Sequence, residues 1–127
     1  MVWMKQPMPK LLDHYISKFM TLVGSSPIVY LKGVCLKILS AFKEDKEGLI
    51  KSSLAYLRQQ ITMFENLHQD ICAEESKLLP NDISKLKGIT LQVSHVISCL
   101  KDLWGTTSEG YQVLQTGYQD RTLLYQA

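Results

Sequence analysis

The sequence of 127 residues predicts an all-α protein, an antiparallel four-helix up-down bundle with a C-terminal helical extension or tail. Apolar residues recur at spacings of three and four in four successive stretches, as they do on the buried face of a helix. Proline, glycine and capping residues bound these stretches, and none shows strand-type alternation between hairpin turns. Connections of about 3 to 10 residues favour antiparallel neighbours. A fragment of an α-solenoid, made of two stacked helical hairpins, is the alternative architecture.

The composition fits a single domain over residues 1–127. Hydrophobic residues make up 46% of the chain and charged residues 20%. A domain of this size buries enough surface to fold without a metal or a disulfide. We therefore exclude a disordered, fibrous or disulfide-scaffold protein.

The first two helices are expected at residues 9–23 and 27–43. Pro9 suits the first position of a helix, and Gly24 suits its C-terminal end. Ser26 can cap the second helix, which then begins with a proline. The residues expected on the core side of the second helix are Ile28, Leu31, Cys35, Ile38 and Phe42.

The third and fourth helices are expected at residues 46–72 and 82–104. Pro80 separates them, Asn81 or Asp82 caps the fourth helix, and Gly105 is the expected stop, with a continuation as the alternative. The third helix carries the longest apolar stripe, formed by Ile50, Leu54, Leu57, Ile61, Phe64, His68 and Ile71. The corresponding stripe of the fourth consists of Ile83, Leu86, Thr90, Val93, Ile97, Leu100 and Trp104.

The net charge of +2 is too small to favour nucleic-acid binding. Residues 1–51 carry eight lysines and four acids, a surplus of +4, and the remainder carries six basic and eight acidic residues. Because these lysines alternate with apolar positions at helical spacing, we interpret them as a solvated helix face.

The three cysteines indicate an intracellular protein, cytoplasmic or nuclear. Cys35, Cys72 and Cys99 are odd in number and lack C-x-x-C spacing, which does not fit a secreted disulfide framework. The N-terminal residues contain no apolar segment typical of a signal peptide. The longest charge-free runs, 19–31 and 88–100, are too short to span a bilayer, so no membrane span is expected.

No sequence motif points to an enzyme, and no cofactor is expected. Phosphate-loop, dinucleotide-binding, nucleophile-elbow and zinc-protease patterns are all missing from the sequence. His68 with Cys72, and His95 with Cys99, have the i, i+4 spacing of metal ligands. In an antiparallel bundle the two pairs would lie about 10 to 20 Å apart along the helix axis, so we discount a zinc site.

The C-terminal segment 108–127 carries the most unusual local pattern. Three tyrosines follow Trp104 at intervals of seven residues, which continues the stripe of the fourth helix, although glycines weaken helix formation there. We expect this segment to fold against the bundle or a second chain, with docking on a partner preferred. The predicted partner interface consists of Trp104, Tyr111, Leu114, Tyr118 and Tyr125.

The function expected from these features is a non-enzymatic protein–protein interaction or assembly module. Its partner would be another protein or a second copy, contacted through a helix face or the C-terminal segment. Two alternatives stay open at this point: a secreted cytokine-like helical ligand, and a carrier that holds an apolar ligand inside the bundle.

Overall fold

The secondary structure in the described part of the chain consists of α-helices joined by short turns. The computed structural model describes the backbone of residues 8–78 and 80–126, and the side chains of residues 11–78, 80 and 82–114. No strand occurs among these residues, which confirms the all-α prediction. The helices are α1 (Met8–Val23), α2 (Pro27–Glu44), α3 (Glu47–Glu75) and α4 (Pro80–Gln126).

The helical backbone is interrupted at Gly24, between α1 and α2. This residue adopts a left-handed backbone with φ of +72°, and its N–H donates to the carbonyl of Met20 at 2.7 Å. Ser26 is extended and precedes Pro27, and its carbonyl accepts the first hydrogen bond of α2 from Tyr30 at 3.0 Å. The break therefore follows the local chemistry that the sequence indicated, a glycine stop and a proline start.

Both α1 and α2 run antiparallel to α3, one after the other. Successive residues along α1 and α2 contact successively earlier residues of α3. In chain order, the contacting pairs are Tyr15 with Asp70, Phe19 with Phe64, Tyr30 with Gln60, and Lys37 with Tyr56. The described fold is therefore a three-helix arrangement in which the first helix is broken at Gly24.

The four-helix up-down bundle is not confirmed. It required α1 and α2 to fold back on each other as a hairpin. A short connection brings two helix ends together but does not fix the direction of the second helix. Here the left-handed Gly24 and the extended Ser26 interrupt the helix without reversing its direction, so α2 continues along α3.

The pair α3 and α4 is the most extensive helix contact in the protein. The Nζ of Lys101 lies 3.6 Å from the Oε2 of Glu65, and the hydroxyl of Tyr111 donates to the Oε1 of Glu47 at 3.3 Å. Later residues of α4 thus meet earlier residues of α3. The two helices are antiparallel, as the connection between them predicted.

The predicted stop of the fourth helix at Gly105 is wrong, because α4 continues to Gln126. Each glycine in a helix interior costs about 1 kcal/mol relative to alanine. Side chains of Trp104, Tyr111 and Leu114 pack against α2 and α3, and this burial offsets the glycine cost. Tertiary packing, which local propensity does not register, therefore determines the length of α4.

The core contains the predicted stripe of α3. Six of its seven residues are buried, and His68 is half-buried. From α4, Leu86, Val93, Val96 and Leu100 complete the interior. The residues whose side chains are most fully buried are Ile38, Ile50, Leu57, Phe64, Leu67, Ile71, Leu86, Val93, Val96 and Leu100.

The predicted core side of α2 is partly right, since Ile38 is buried and Leu31 and Phe42 pack against the core, but the buried side is rotated away from Ile28. Val34, Ile38 and Ala41 are buried, whereas Ile28 is exposed. Cys35, expected in the core, is half-buried. Since α2 carries apolar residues around most of its circumference, periodicity alone does not select the side that packs.

We expect Phe64→Ala to lower the free energy of unfolding by about 3 to 5 kcal/mol, because it leaves a cavity at the centre of the core. Phe64 has no exposed surface and contacts the rings of both Phe19 and Tyr30. Urea denaturation measures the change. Leu91→Ala is the matched control, since Leu91 is 71% exposed, and a Phe64 loss below about 1 kcal/mol would contradict this packing.

Replacing two glycines by alanine should change stability in opposite directions. Gly24→Ala should lower the melting temperature, because alanine in a left-handed conformation costs about 1 kcal/mol. At Gly105→Ala an added Cβ meets no atom within 4 Å, so the gain in helix propensity should raise the melting temperature. Thermal unfolding followed by circular dichroism tests both variants. Shifts of the same sign would contradict a left-handed Gly24 between α1 and α2 together with a helical Gly105 inside α4.

Candidate functional site

The side of α2 that faces away from the core is apolar. At 3.6 residues per turn, its residues occupy an arc of about 100° opposite the buried positions Val34, Ile38 and Ala41. We call the surface formed by Ile28, Val29, Lys32, Leu36, Leu39 and Lys43 the outer α2 face. Its apolar members are exposed by 77% (Ile28), 64% (Val29), 58% (Leu36) and 63% (Leu39).

Two lysines lie within this apolar arc. On the helical projection Lys32 and Lys43 fall between Ile28 and Leu39 on one side and Leu36 and Val29 on the other. No acidic residue occurs from position 27 to position 43. The outer α2 face is therefore both apolar and positively charged.

Lys37, the third lysine of α2, is engaged with α3. Its Nζ lies 3.8 Å from the centroid of the Tyr56 ring, a cation–π contact that holds the ammonium at the side of the helix. Lys32 and Lys43 are the α2 lysines that face away from the core.

A shallow groove runs beside the C-terminal half of the outer α2 face. It is lined by Leu36, Leu39, Ser40, Phe42 and Lys43. Three apolar side chains and one ammonium form a depression that can receive an apolar side chain with a carboxylate beside it.

The segment Leu11–Glu44, taken across the break at Gly24, contains a stretch that is long and apolar enough to cross a membrane by length and composition. Only 17% of that stretch is buried. Core helices and signal sequences satisfy the same criterion, so one such stretch is weak evidence for a membrane span.

Most of the predicted C-terminal interface packs within the chain where the structure describes it. Trp104, Tyr111 and Leu114 are partly buried against a cluster of Ala41, Ile50 and Leu54. The side chains of Tyr118 and Tyr125 lie outside the described residues. The described part of this interface thus contributes to the fold of the chain itself.

The two histidine–cysteine pairs remain separate. The Nδ1 of His68 lies 3.8 Å from the Sγ of Cys72, and the Nε2 of His95 lies 3.7 Å from the Sγ of Cys99. Within the described side chains, no group of three or more histidine, cysteine or acidic residues that could hold a metal ion is formed. Each pair is a local i, i+4 contact on its own helix.

Buried polar groups join helices to each other. The hydroxyl of Tyr30 donates to the Oε1 of Gln60 at 2.6 Å, and that of Tyr15 donates to the backbone carbonyl of Asp70 at 3.1 Å. Burial raises the pKa of Tyr30, and nearby Tyr56 raises it further. Burial also raises the pKa of Tyr15, so both hydroxyls stay protonated and serve as structural donors.

No protein-family model, no curated protein and no solved structure matches this chain. A function must therefore be argued from the surface chemistry of the chain itself. The feature with the clearest chemistry is the outer α2 face.

Sequence reasoning missed this face for an identifiable reason. It placed Ile28 in the core and interpreted the lysines as an ordinary solvated helix face. The signal that could have revealed it is present in α2, where apolar residues occur on both sides of the helix and acids are missing between positions 27 and 43.

Replacing Tyr111 and Leu114 together by alanine should lower the free energy of unfolding by about 2 kcal/mol, because both side chains cover Ile50 and Leu54. Urea denaturation of the double variant measures the loss of unfolding free energy. Val113→Ala is the control, since Val113 is exposed on the same turn of α4. Unchanged stability of the double variant would show that these side chains are free to bind a partner.

Proposed function

We propose that this protein is a non-enzymatic interaction module that binds another protein through the outer α2 face. The observation that carries the proposal is the presence of four large apolar side chains, each more than half exposed, on one side of one helix. Exposed apolar side chains grouped on one surface are typical of interaction sites.

Other exposed apolar residues differ from this face in their arrangement. Ile16, Met20, Leu49 and Met63 are less exposed, at 36 to 41%, and Leu91 and Val113 lie 22 residues apart on α4. Isolated apolar residues are normal on protein surfaces and need no partner. The grouping on α2 is therefore the feature that supports binding.

The outer α2 face is a better candidate than the C-terminal segment. Trp104, Tyr111 and Leu114 already have partners within the chain, and their removal would uncover the core cluster of Ala41, Ile50 and Leu54. The apolar residues of the outer α2 face are exposed in the folded chain, and none of them is among the buried residues through which α2 contacts the core. Binding there requires no rearrangement of the fold.

The chemistry of the described residues supports a binding role in an intracellular compartment. The tyrosine hydroxyls hold helices together, and each histidine–cysteine pair is a local contact that joins no larger metal-binding group among the described side chains. Cys35, Cys72 and Cys99 are free thiols, which fits a reducing cytoplasm or nucleus.

Photo-crosslinking in living cells tests this function. With p-benzoylphenylalanine in place of Leu36, we expect a discrete adduct between this chain and another protein. The same group in place of Leu91 is the control, because that residue is 71% exposed, against 58% for Leu36, and lies on α4. No adduct from position 36, or equal adducts from both positions, would refute binding through α2.

A further inference from the structure

We infer that the partner segment for the outer α2 face is an acidic amphipathic helix, whose carboxylates pair with Lys32 and Lys43 while its apolar side chains cover Leu36 and Leu39. This inference rests on the proposed function and specifies the chemistry of the partner. It follows from where the two ammonium groups lie within the apolar arc.

Lys32 and Lys43 form no ion pair within the described part of the chain. The ion pairs found there involve Lys18, Lys51, Lys77 and Lys101. Two unpaired cations thus lie among four exposed apolar side chains. A partner that covers the apolar side chains would also desolvate both ammonium groups, and desolvated cations require anionic partners.

A second copy of this chain does not fit this face. In a two-fold symmetric contact the same surface meets itself, which would bring Lys32 and Lys43 against the lysines of the other copy. No acid occurs between positions 27 and 43, and Glu44 lies about 100° around the helix from Lys43, so the outer α2 face offers nothing to neutralise them. Like charges opposed across an interface disfavour such a dimer.

A lipid bilayer also fits less well. Helices that lie on anionic membranes carry lysines on their polar side, so that the ammonium groups reach the headgroups while the apolar side is immersed. Here Lys32 and Lys43 leave the helix in nearly the same direction as Leu36 and Leu39. Immersing the apolar residues would push both ammonium groups toward hydrocarbon, whereas a protein partner can place carboxylates opposite them.

The shape of the face favours a helix as the occupant. From Ile28 to Lys43 the face extends along one helix axis for about 22 Å, which is the length of about four turns. Apolar side chains spaced three, four and seven residues apart on a facing helix would lie along the outer α2 face. The groove lined by Leu36, Leu39 and Phe42 can receive one of those anchors.

A fluorescent peptide tests the charge requirement directly. The probe is a 22-residue helical peptide with leucine at heptad positions a and d and glutamate beside them, and its counterpart carries lysine in place of glutamate. Fluorescence anisotropy should show saturable binding of the glutamate peptide that weakens with salt, and no binding of the lysine peptide. Equal binding of the two peptides would overturn the inference.

A matched pair of variants localises the effect. K32E/K43E should weaken binding of the glutamate peptide at least tenfold, because two attractive contacts become repulsive. K85E/K87E changes the net charge by the same amount at exposed lysines of α4 and should change the affinity less than twofold. Circular dichroism verifies that both variants fold, and equal weakening by the two variants would overturn the inference.

The crosslinked adduct separates failure of this inference from failure of the proposed function. Tandem mass spectrometry of the adduct from position 36 identifies the partner segment. An acidic segment with helical apolar spacing supports the inference, whereas a basic or uncharged segment overturns it and leaves the proposed function standing. Absence of a protein adduct, together with Lys32- and Lys43-dependent binding to phosphatidylserine vesicles, would overturn both.

Discussion

The ring of Phe64 contacts both parts of the broken first helix, and the arrangement of the other helices depends on this contact. Phe19 of α1 and Tyr30 of α2 meet it with ring centroids 6.2 Å and 5.6 Å away. The break at Gly24 lies between these two residues, so a single buried side chain of α3 positions the helices on both sides of it. The hydroxyl of Tyr30 donates a hydrogen bond to Gln60, which lies one turn before Phe64 on α3. This hydrogen bond fixes the rotation of α2 at this point. Consequently, the same interaction determines which side of α2 is turned toward the solvent.

The sequence predicts those parts of the fold in which one physical signal acts without competition. On α3 the apolar residues form one stripe, and all but His68 of the predicted positions are buried. The direction of α2 and the length of α4 could not be predicted, because each depends on contacts between distant residues. Gly105 illustrates this, since local propensity favours a stop there while packing of Tyr111 and Leu114 keeps the helix intact. Local signals therefore identified where helices begin more reliably than how they associate.

The candidate site was hidden from sequence reasoning because α2 has two apolar sides. One side, with Val34, Ile38 and Ala41, enters the core, and the other, with Leu36 and Leu39, faces solvent. Periodicity selects a core side that includes Ile28 and gives the lysines no role beyond solubility. Only the observed rotation of the helix separates the residues that stabilise the fold from those available for recognition. Residues that stabilise the fold and residues available for recognition thus lie on opposite sides of α2.

The interruption at Gly24 also has a consequence for the dynamics of the protein. The backbone hydrogen-bond ladder of α1 ends there, and that of α2 begins anew at Ser26. Loss of α1 from the surface of α3 requires the contacts of Tyr15 and Phe19 to break, but it leaves every hydrogen bond of α2 in place. We therefore expect the break to mark a boundary between cooperative units, with amide protons of α1 exchanging through local opening before those of α2 and α3.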